Sequence, residues 1–183
     1  VQDRISLDGA FVAAFGARSD LHSQAGGAFT FRIAPGYYAS RTGTRFRASL
    51  GTGFKAPSLY QLYAPPTFYG PVGNENLEPE KTLGWDLGVE QEFLHGRLQL
   101  GARYFSNSFE NLIDFTYTEG YLNIKTVSTR GAELFLRANP WKDLSLSAEY
   151  TRMEAKDTGS GEYLLRRPKH KFALRIGTGF AAK

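Results

Sequence analysis

Apolar and polar residues alternate with a period of two along most of the chain, and this pattern limits the fold more than any other feature. In a typical segment Trp85, Leu87 and Val89 alternate with Asp86 and Glu90. Successive side chains of a β-strand point to opposite faces, whereas an amphipathic helix would repeat every 3.6 residues. The pattern therefore predicts an all-β chain.

Alternating segments recur along the chain as an antiparallel meander of about eight long strands. The predicted strands cover residues 5–16, 29–37, 45–54, 85–93, 97–104, 131–138, 144–151 and 171–180, and residues 109–117 continue the fifth. Pro35 cannot donate to a ladder and is expected to weaken its strand. Beyond Phe105 the phase of the alternation blurs, which predicts a bulge.

Short turns and long connections follow one another in turn. The short turns are Thr42-Gly43, His95-Gly96 and Pro140–Asp143, and the long loops are Arg18–Gln24, Lys55–Lys81, Tyr117–Leu122 and Asp157–Pro168. In a meander, every second connection lies at the same end of the sheet. Transmembrane barrels have this asymmetry, with short turns on one side of the membrane and longer loops on the other.

The polar face of the predicted strands carries charges of both signs. Its acids are Asp8, Asp86, Glu90, Glu92, Glu133 and Glu149, and its bases are Arg32, Arg45, Arg47, Arg103, Arg137 and Arg175. Opposite charges on neighbouring strands predict cross-strand ion pairs facing a wet interior. A soluble β-sandwich is the alternative, but it rarely needs strands this long or one face this charged, so the pattern favours a barrel.

The amino-acid composition excludes several other classes of protein. A chain with 42% hydrophobic and 22% charged residues is not a disordered tail, and no apolar run is long enough for a transmembrane helix. The net charge of +4 comes from scattered basic residues, so no nucleic-acid partner is predicted. Zero cysteines exclude a disulfide framework and cysteine-based metal sites.

No catalytic, cofactor or metal site is predicted. Gly51-Thr52-Gly53-Phe54-Lys55-Ala56 has the spacing of a dinucleotide fingerprint, but Pro57 and a tyrosine-rich loop follow where that fingerprint needs a helix. His22, His95 and His170 fall on separate segments, and His95 is expected at the opposite rim from His22. The chain is therefore not expected to be an enzyme.

The Lys55–Lys81 loop, which shows no helical or strand period, is the strongest candidate for a binding segment. Long loops on rigid scaffolds often bind ligands, and aromatic and amide side chains suit recognition. The candidate ligand contacts, including two from a neighbouring loop, are Tyr60, Gln61, Tyr63, Phe68, Tyr69, Asn74, Tyr117 and Tyr121. The alternative is a structural cap that covers the rim.

The same loop carries a resemblance to a known family. Phe54–Tyr63 and Gly73–Lys81, followed in order by Asp114, Tyr121-Leu122-Asn123, Arg130–Glu133 and Leu164–Arg167, resemble the barrel signature of TonB-dependent outer-membrane transporters. Within that family, Lys55–Tyr63 and Leu164–Arg167 look most similar to the vitamin B12 (cobalamin) receptors. Asp86 stands where the family more often has Glu.

The resemblance implies a fold and a set of partners. It implies a 22-stranded transmembrane β-barrel in the outer membrane of a Gram-negative bacterium, filled by an N-terminal plug through which TonB acts. Residues 1–183 are expected to be a partial barrel domain without the plug and the C-terminal strands. The implied partners are outer-membrane lipid, TonB and an imported small molecule. The family motif also implies loop anchors at Pro57, Asn76, Pro79, Glu80 and Lys81, with Glu80 and Lys81 able to pair.

The imported ligand is left open between two classes. The resemblance favours cobalamin, and a ferric siderophore is the alternative because the Pro79-Glu80-Lys81 patch is shared across the family. The segment Ala64–Val72 is longer than in close cobalamin receptors and lies in the candidate ligand loop. A passive or structural outer-membrane barrel is a further alternative.

Overall fold

The computed structural model describes residues 2–7, 9–22, 26–124, 126–164 and 166–178. Its elements are β1 Gln2–Leu7, β2 Phe11–His22, β3 Gly26–Ala39, β4 Thr44–Lys55, α1 Leu59–Tyr63, β5 Glu80–Phe93, β6 Leu98–Glu110, β7 Leu112–Thr116, β8 Gly120–Ile124, β9 Val127–Trp141, β10 Leu144–Asp157 and β11 His170–Thr178. One antiparallel sheet of nine strands has the order β1-β2-β3-β4-β5-β6-β9-β10-β11, and β7 and β8 form a second sheet.

The meander of eight long strands is confirmed. Eight strands of the large sheet have between nine and 15 residues, and only β1 is shorter. The turn predicted at Pro140–Asp143 is confined to Lys142 and Asp143, because Pro140 and Trp141 are the last residues of β9. The short turns predicted at Thr42-Gly43 and His95-Gly96 lie between the expected strands, with Gly43 at φ +70° and Gly96 at φ +84°. Glycine suits both positions because its missing Cβ permits positive φ. These turns define one end of the sheet, the tight-turn end, and the long connections define the other, the loop end.

The first predicted strand is wrong, because residues 5–16 belong to two strands. Gly9 has φ +67° and lies in a turn, after which Leu7 pairs with Phe11 and Ile5 pairs with Ala13. Residues that face each other in an antiparallel pair lie on the same side of the sheet. The partners here are an even number of residues apart, so the alternation continues through the turn without a change of phase.

The predicted Arg18–Gln24 loop is also wrong over most of its length. β2 continues to His22, with Arg18 opposite Thr30 and Asp20 opposite Ala28. Arg18 and Asp20, two residues apart on one face, form an ion pair at 2.7 Å. The polar residues 18–22 are therefore the solvent-exposed end of a strand and not a turn. Residues 23–25 lie outside the described part of the chain.

Two local irregularities differ from expectation. β6 pairs residue by residue with both β5 and β9 as far as Phe109, so the predicted bulge after Phe105 is wrong. The described shift of register lies between Leu144 and Leu146 in the β9–β10 pair. Pro35 has the expected effect, because the β3–β4 ladder is interrupted between Ile33 and Gly36.

Cross-strand ion pairs confirm the predicted charged face. They are Arg45–Glu92 at 2.5 Å, Arg47–Glu90 at 3.3 Å, Arg103–Asp86 at 3.1 Å, Arg103–Glu133 at 3.5 Å and Arg175–Glu149 at 3.3 Å. Arg137 instead lies over the Phe135 ring, at 4.8 Å. Asp8 lies outside the described residues. Because most of these side chains are partly exposed, the ladder contributes more to the polarity of this face than to stability.

The opposite face of the large sheet is apolar and exposed. Its solvent-accessible side chains include Phe15, Ile33, Leu50, Leu87, Leu134, Phe172 and Leu174. A patch of this extent is far larger than soluble monomers expose, and it requires an apolar surrounding. No helix in the described ranges has the length and apolar character needed to cross a membrane.

Candidate functional site

The connection between β4 and β5 is a folded cap that contains a short helix. Ser58 begins α1 with reciprocal hydrogen bonds, in which the Gln61 N–H donates to Ser58 Oγ at 3.2 Å and the Ser58 N–H donates to Gln61 Oε1 at 2.9 Å. The prediction of a loop without helix is therefore wrong at Leu59–Tyr63. Five residues are too few to show a helical period. The Ser58-x-x-Gln61 capping box is nevertheless a sequence pattern that predicts the start of a helix.

The cap turns back on itself after α1. The Gly73 N–H donates to the Ala64 carbonyl at 3.1 Å, and the Asn74 N–H donates to the Gln61 carbonyl at 2.9 Å. A Cβ at Gly73 would lie 2.6 to 2.8 Å from backbone atoms of Ala64 and Leu62, so only glycine fits this crossing. The turn buries the side chains of Leu62, Val72 and Leu77, which form the small apolar core of the cap.

A hairpin of β7 and β8 lies against the cap. The predicted Tyr117–Leu122 loop is wrong from Gly120 onward, because Gly120–Ile124 is a strand that pairs with Leu112–Thr116. The Tyr121 N–H donates to the Val72 carbonyl at 2.9 Å, which joins the hairpin to the cap. Gly120 has φ +74°, and a Cβ there would lie 2.6 Å from the Val72 oxygen.

Substituting Gly120 with alanine should therefore separate the hairpin from the cap. The methyl group would collide with fixed backbone, and the positive φ adds strain of about 1 kcal/mol. Faster hydrogen exchange of residues 72–74 and 120–122 in the folded protein is the expected result. Gly161→Ala is the matched control, since Gly161 has φ +75° but no atom within 4 Å of the added Cβ. Equal effects of the two substitutions would contradict the collision.

Asparagine side chains fasten the cap to the hairpin. Asn74 Nδ2 donates to the Tyr121 carbonyl at 3.0 Å, and its Oδ1 accepts from the Asn76 N–H at 3.0 Å. Asn123 Oδ1 accepts from the Glu78 N–H at 2.8 Å, and its Nδ2 donates to the Glu78 carbonyl at 2.9 Å. Asn74 was predicted as a ligand contact, and that role stays a prediction. Sequence reasoning assigned no role to Asn123, whose partners are remote in the chain.

Glu80 joins three elements at the base of the cap. Only 9% of this residue is exposed, and its carboxylate accepts from Lys55 Nζ at 3.0 Å and from the Ile113 N–H at 2.9 Å. The predicted Glu80–Lys81 pair is wrong, because neighbouring residues of a strand point to opposite faces. Glu80 pairs with Lys55 instead, and Lys81 lies opposite Glu110 in the β5–β6 register.

The remaining predicted anchors lie at the two ends of the cap. Pro57 is buried just before α1, and Pro79 is half-buried just before β5. Asn76 is exposed, and its backbone N–H is the group that bonds to Asn74. Their anchoring role stays a prediction.

Four aromatic rings form a continuous surface where the cap meets the hairpin. Ring centroids are 6.2 Å apart for Tyr60–Tyr121, 5.1 Å for Phe115–Tyr121 and 5.7 Å for Phe115–Tyr117, all edge to face. We call Tyr60, Phe115, Tyr117 and Tyr121 the aromatic ledge. Tyr60 and Tyr117 are 64% and 82% exposed, so the ledge presents its rings to solvent. Sequence reasoning missed Phe115, which faces Tyr121 directly in the hairpin.

The other predicted ligand contacts lie elsewhere on the cap. Phe68 and Tyr69 occupy a tight turn closed by hydrogen bonds between Thr67 and Gly70, and their rings meet edge to face at 5.6 Å. Both rings project almost entirely into solvent, and Tyr63 is half-exposed on α1. Gln61 uses its side-chain oxygen in the helix cap. All four keep their ligand role as a prediction.

The chemistry of this surface is aromatic and mildly acidic. Residues 56–79 and 111–124 contain Glu75, Glu78, Asp114 and Glu119 but neither lysine nor arginine. Among the residues that the structure describes, no His, Asp and Glu side chains are grouped closely enough to hold a metal ion. The surface therefore offers ring faces and hydrogen-bonding groups to a ligand and not a cationic pocket.

Comparison with known proteins identifies the family. Residues 1–183 match the model of the TonB dependent receptor-like β-barrel over the whole chain. The chain belongs to the TonB-dependent receptor family. The family confirms the resemblance inferred from the motifs, and it makes the nine-stranded sheet a part of an outer-membrane barrel with its apolar face toward lipid.

Solved receptors share this fold. The siderophore receptor PirA of Pseudomonas aeruginosa is 30% identical, with a TM-score of 0.76 over 88% of this chain and 31% of PirA. A mutant ferric enterobactin receptor of the same organism, in complex with enterobactin, is 21% identical with a TM-score of 0.80 over 96% and 29% of the two chains. The ferripyoverdine receptor is 20% identical with a TM-score of 0.73 over 99% and 25%. The chain thus spans less than a third of each receptor.

Proposed function

We propose that the protein is an outer-membrane receptor that imports a ferric siderophore with energy relayed by TonB, and that residues 1–183 form part of its barrel domain. The observation that carries the ligand class is the 30% identity to a siderophore receptor over 88% of this chain. Cobalamin, the first expectation from sequence, rested on two short motifs, and the siderophore alternative now has the better support.

The cap and the hairpin are the parts of this chain that contact the ligand in the proposed receptor. Exposed aromatic rings on a fixed backbone provide large contact area with little loss of conformational freedom. The aromatic ledge supplies this area, and Phe68, Tyr69, Tyr63, Gln61 and Asn74 extend it along the cap. Because the ledge has no cation beside it, its contribution to binding is ring contact and hydrogen bonding.

The anchors give the cap one geometry with respect to the barrel. Asn74 and Asn123 connect the cap to β8 through bonds of 3.0 and 2.8 Å. Glu80 connects β7 to β5 through its bond of 2.9 Å to the Ile113 N–H. A rigid cap avoids the cost of ordering a loop when the ligand binds. Proline at positions 57 and 79 restricts the backbone at both ends for the same purpose.

Equilibrium binding to the complete receptor in detergent tests the ligand class. A panel of ferric hydroxamate and ferric catecholate siderophores is titrated beside cyanocobalamin, with the quenching of tryptophan fluorescence as the signal. We expect saturable binding of at least one ferric siderophore and none of cyanocobalamin. Binding of cyanocobalamin alone would restore the first expectation and overturn the siderophore assignment.

Uptake measurements separate active import from a passive barrel. Cells that carry the complete receptor are supplied with the bound siderophore labelled with radioactive iron, with and without a functional TonB. We expect accumulation only when TonB is functional. Equal accumulation in both strains would identify a passive pore.

A further inference from the structure

A basic surface lies on the apolar face of the sheet at its loop end. On β9, Arg130 precedes Leu134 by four residues, toward the loop end of the sheet. Because the separation is even, the two side chains lie on the same face. On β10, Arg152 and Lys156 continue the face that carries Ala148 and Tyr150. We call Arg130, Arg152, Lys156 and Lys169 the basic patch.

The positive charge of the basic patch is mostly uncompensated. Glu154 accepts from Arg130 at 3.2 Å and lies 3.8 Å from Arg152, and it is the one carboxylate paired with the patch within the described ranges. The two arginine side chains remain 62% and 66% exposed. The patch therefore has four positively charged side chains and one paired carboxylate, and it carries a net positive charge on an exposed surface.

Tyr163 holds the two lysines of the patch together. Lys156 Nζ lies 4.6 Å and Lys169 Nζ lies 3.7 Å from the centroid of the Tyr163 ring. Residue 163 reaches this position through a bridge to Lys156. An aromatic ring between two ammonium groups offsets part of their repulsion without neutralising them, so their charge stays available to an anion.

The neighbouring strands carry no charge beside the patch on this face. The residue in register with Arg130 is Ser106 on β6, and the residue in register with Ser106 is Trp85 on β5. Lys81 of β5 is a cation of the same face, but it lies four residues beyond Trp85 and outside the patch. The basic patch thus belongs to β9, β10 and the loop that leads into β11, and it does not extend across β6 and β5.

An apolar strip lies directly below the patch. Tyr150 faces Phe172, Ala148 faces Leu174 and Leu146 faces Ile176 across β10 and β11. These side chains belong to the face that meets lipid in this family, and the loop end faces outward. A cluster of cations at the edge of such a strip lies at the depth of the lipid headgroups, where phosphate is the available anion.

We propose that the basic patch is a binding site for the phosphates of a phosphorylated glycolipid of the outer leaflet, with its acyl chains along Tyr150, Phe172 and Leu174. Guanidinium groups bind phosphate through paired hydrogen bonds, and the ammonium groups add point charges. The proposal uses the membrane placement of the family and does not depend on which ligand the receptor imports.

Lipid binding by the complete receptor tests the proposal. Receptor in detergent is titrated with diphosphorylated lipid A and with the same lipid after removal of both phosphates. Each basic residue near an anionic headgroup contributes about fivefold in affinity, so Arg130→Gln/Arg152→Gln should weaken binding of the phosphorylated lipid about thirtyfold. Binding of the dephosphorylated lipid should not change.

Two further variants distinguish a loss of lipid binding from a loss of folding. Lys156→Gln/Lys169→Gln removes as much charge but leaves the Arg130–Glu154 pair intact, and it should weaken binding by a similar factor. Lys81→Gln, which removes a cation of the same face outside the patch, should leave lipid binding unchanged. The heat-dependent electrophoretic mobility typical of folded barrels checks each variant.

Three results would overturn the proposal. Equal affinity of the unchanged receptor for the phosphorylated and dephosphorylated lipids would show that the apolar strip alone binds the lipid. Unchanged affinity in both double variants would exclude the patch. Displacement of the phosphorylated lipid by millimolar inorganic phosphate would identify a site for free anions and not for a lipid.

Discussion

Replacing Tyr60, Tyr117 and Tyr121 with alanine in the complete receptor is expected to weaken ferric siderophore binding about a hundredfold. Exposed aromatic anchors carry much of the free energy of binding at recognition surfaces, about 2 kcal/mol or more for the central ones. Tyr60 contacts Tyr121 directly, and Phe115 connects Tyr121 to Tyr117, so the substitutions remove the exposed part of the ledge as a unit. Fluorescence titration with the siderophore that the unchanged receptor binds gives the affinity.

The matched control keeps the rings and removes only their hydroxyl groups. Tyr60→Phe, Tyr117→Phe and Tyr121→Phe together should retain affinity to within about fivefold if ring contact dominates and at most one hydroxyl group bonds to the ligand, since one neutral hydrogen bond contributes about 1 kcal/mol net. Unchanged affinity of the alanine variant, with hydrogen exchange of the cap also unchanged, would contradict the role of the ledge. Equal losses in both variants would assign binding to the hydroxyl groups.

Alternation was sufficient to predict the large sheet, because each long strand has one charged and one apolar face. The ion pair of Arg45 with Glu92 shows the reason, since both residues were placed on the same face from parity alone. The alternation did not reveal the turn at Gly9. Paired residues on either side of this turn are an even number of positions apart, so the alternation of apolar and polar residues continues through it unchanged. The alternation pattern therefore predicts the face on which a residue lies, but it does not predict where a strand ends in a turn.

The candidate site was predictable in composition but not in arrangement. Tyr60, Tyr117 and Tyr121 were predicted as contacts, and the structure brings them onto one surface. Phe115 was missed because the segment was interpreted as one strand running to a loop, which hid its pairing with Tyr121. The hydrogen bonds of Asn123 to Glu78 span 45 residues, and no local pattern encodes a contact of that range.

Glu80→Ala is expected to release the β7–β8 hairpin from β5, and to loosen the cap that Asn74 and Asn123 bind to that hairpin, while leaving the barrel folded. The substitution removes the acceptor of a part-buried backbone N–H at Ile113, which costs about 1 to 3 kcal/mol, and it removes the partner of Lys55, which is largely exposed and adds little. A loss of about 3 kcal/mol corresponds to roughly a hundredfold lower protection of residues 56–79 and 112–124 against hydrogen exchange. Protection in β9 and β10, which make no bond to Glu80, should be unchanged.

Glu80→Gln separates the two contributions of this carboxylate. Glutamine retains an oxygen that accepts from the Ile113 N–H but carries no charge for Lys55, so we expect it to preserve most of the protection of the cap. Glu119→Gln, at an exposed position of the β7–β8 turn, controls for loss of a negative charge near the hairpin. If Glu80→Ala left the exchange of the cap unchanged, the cap would be held by Asn74, Asn123 and its own apolar core, and the conformation of the ledge would be independent of the barrel strand below it.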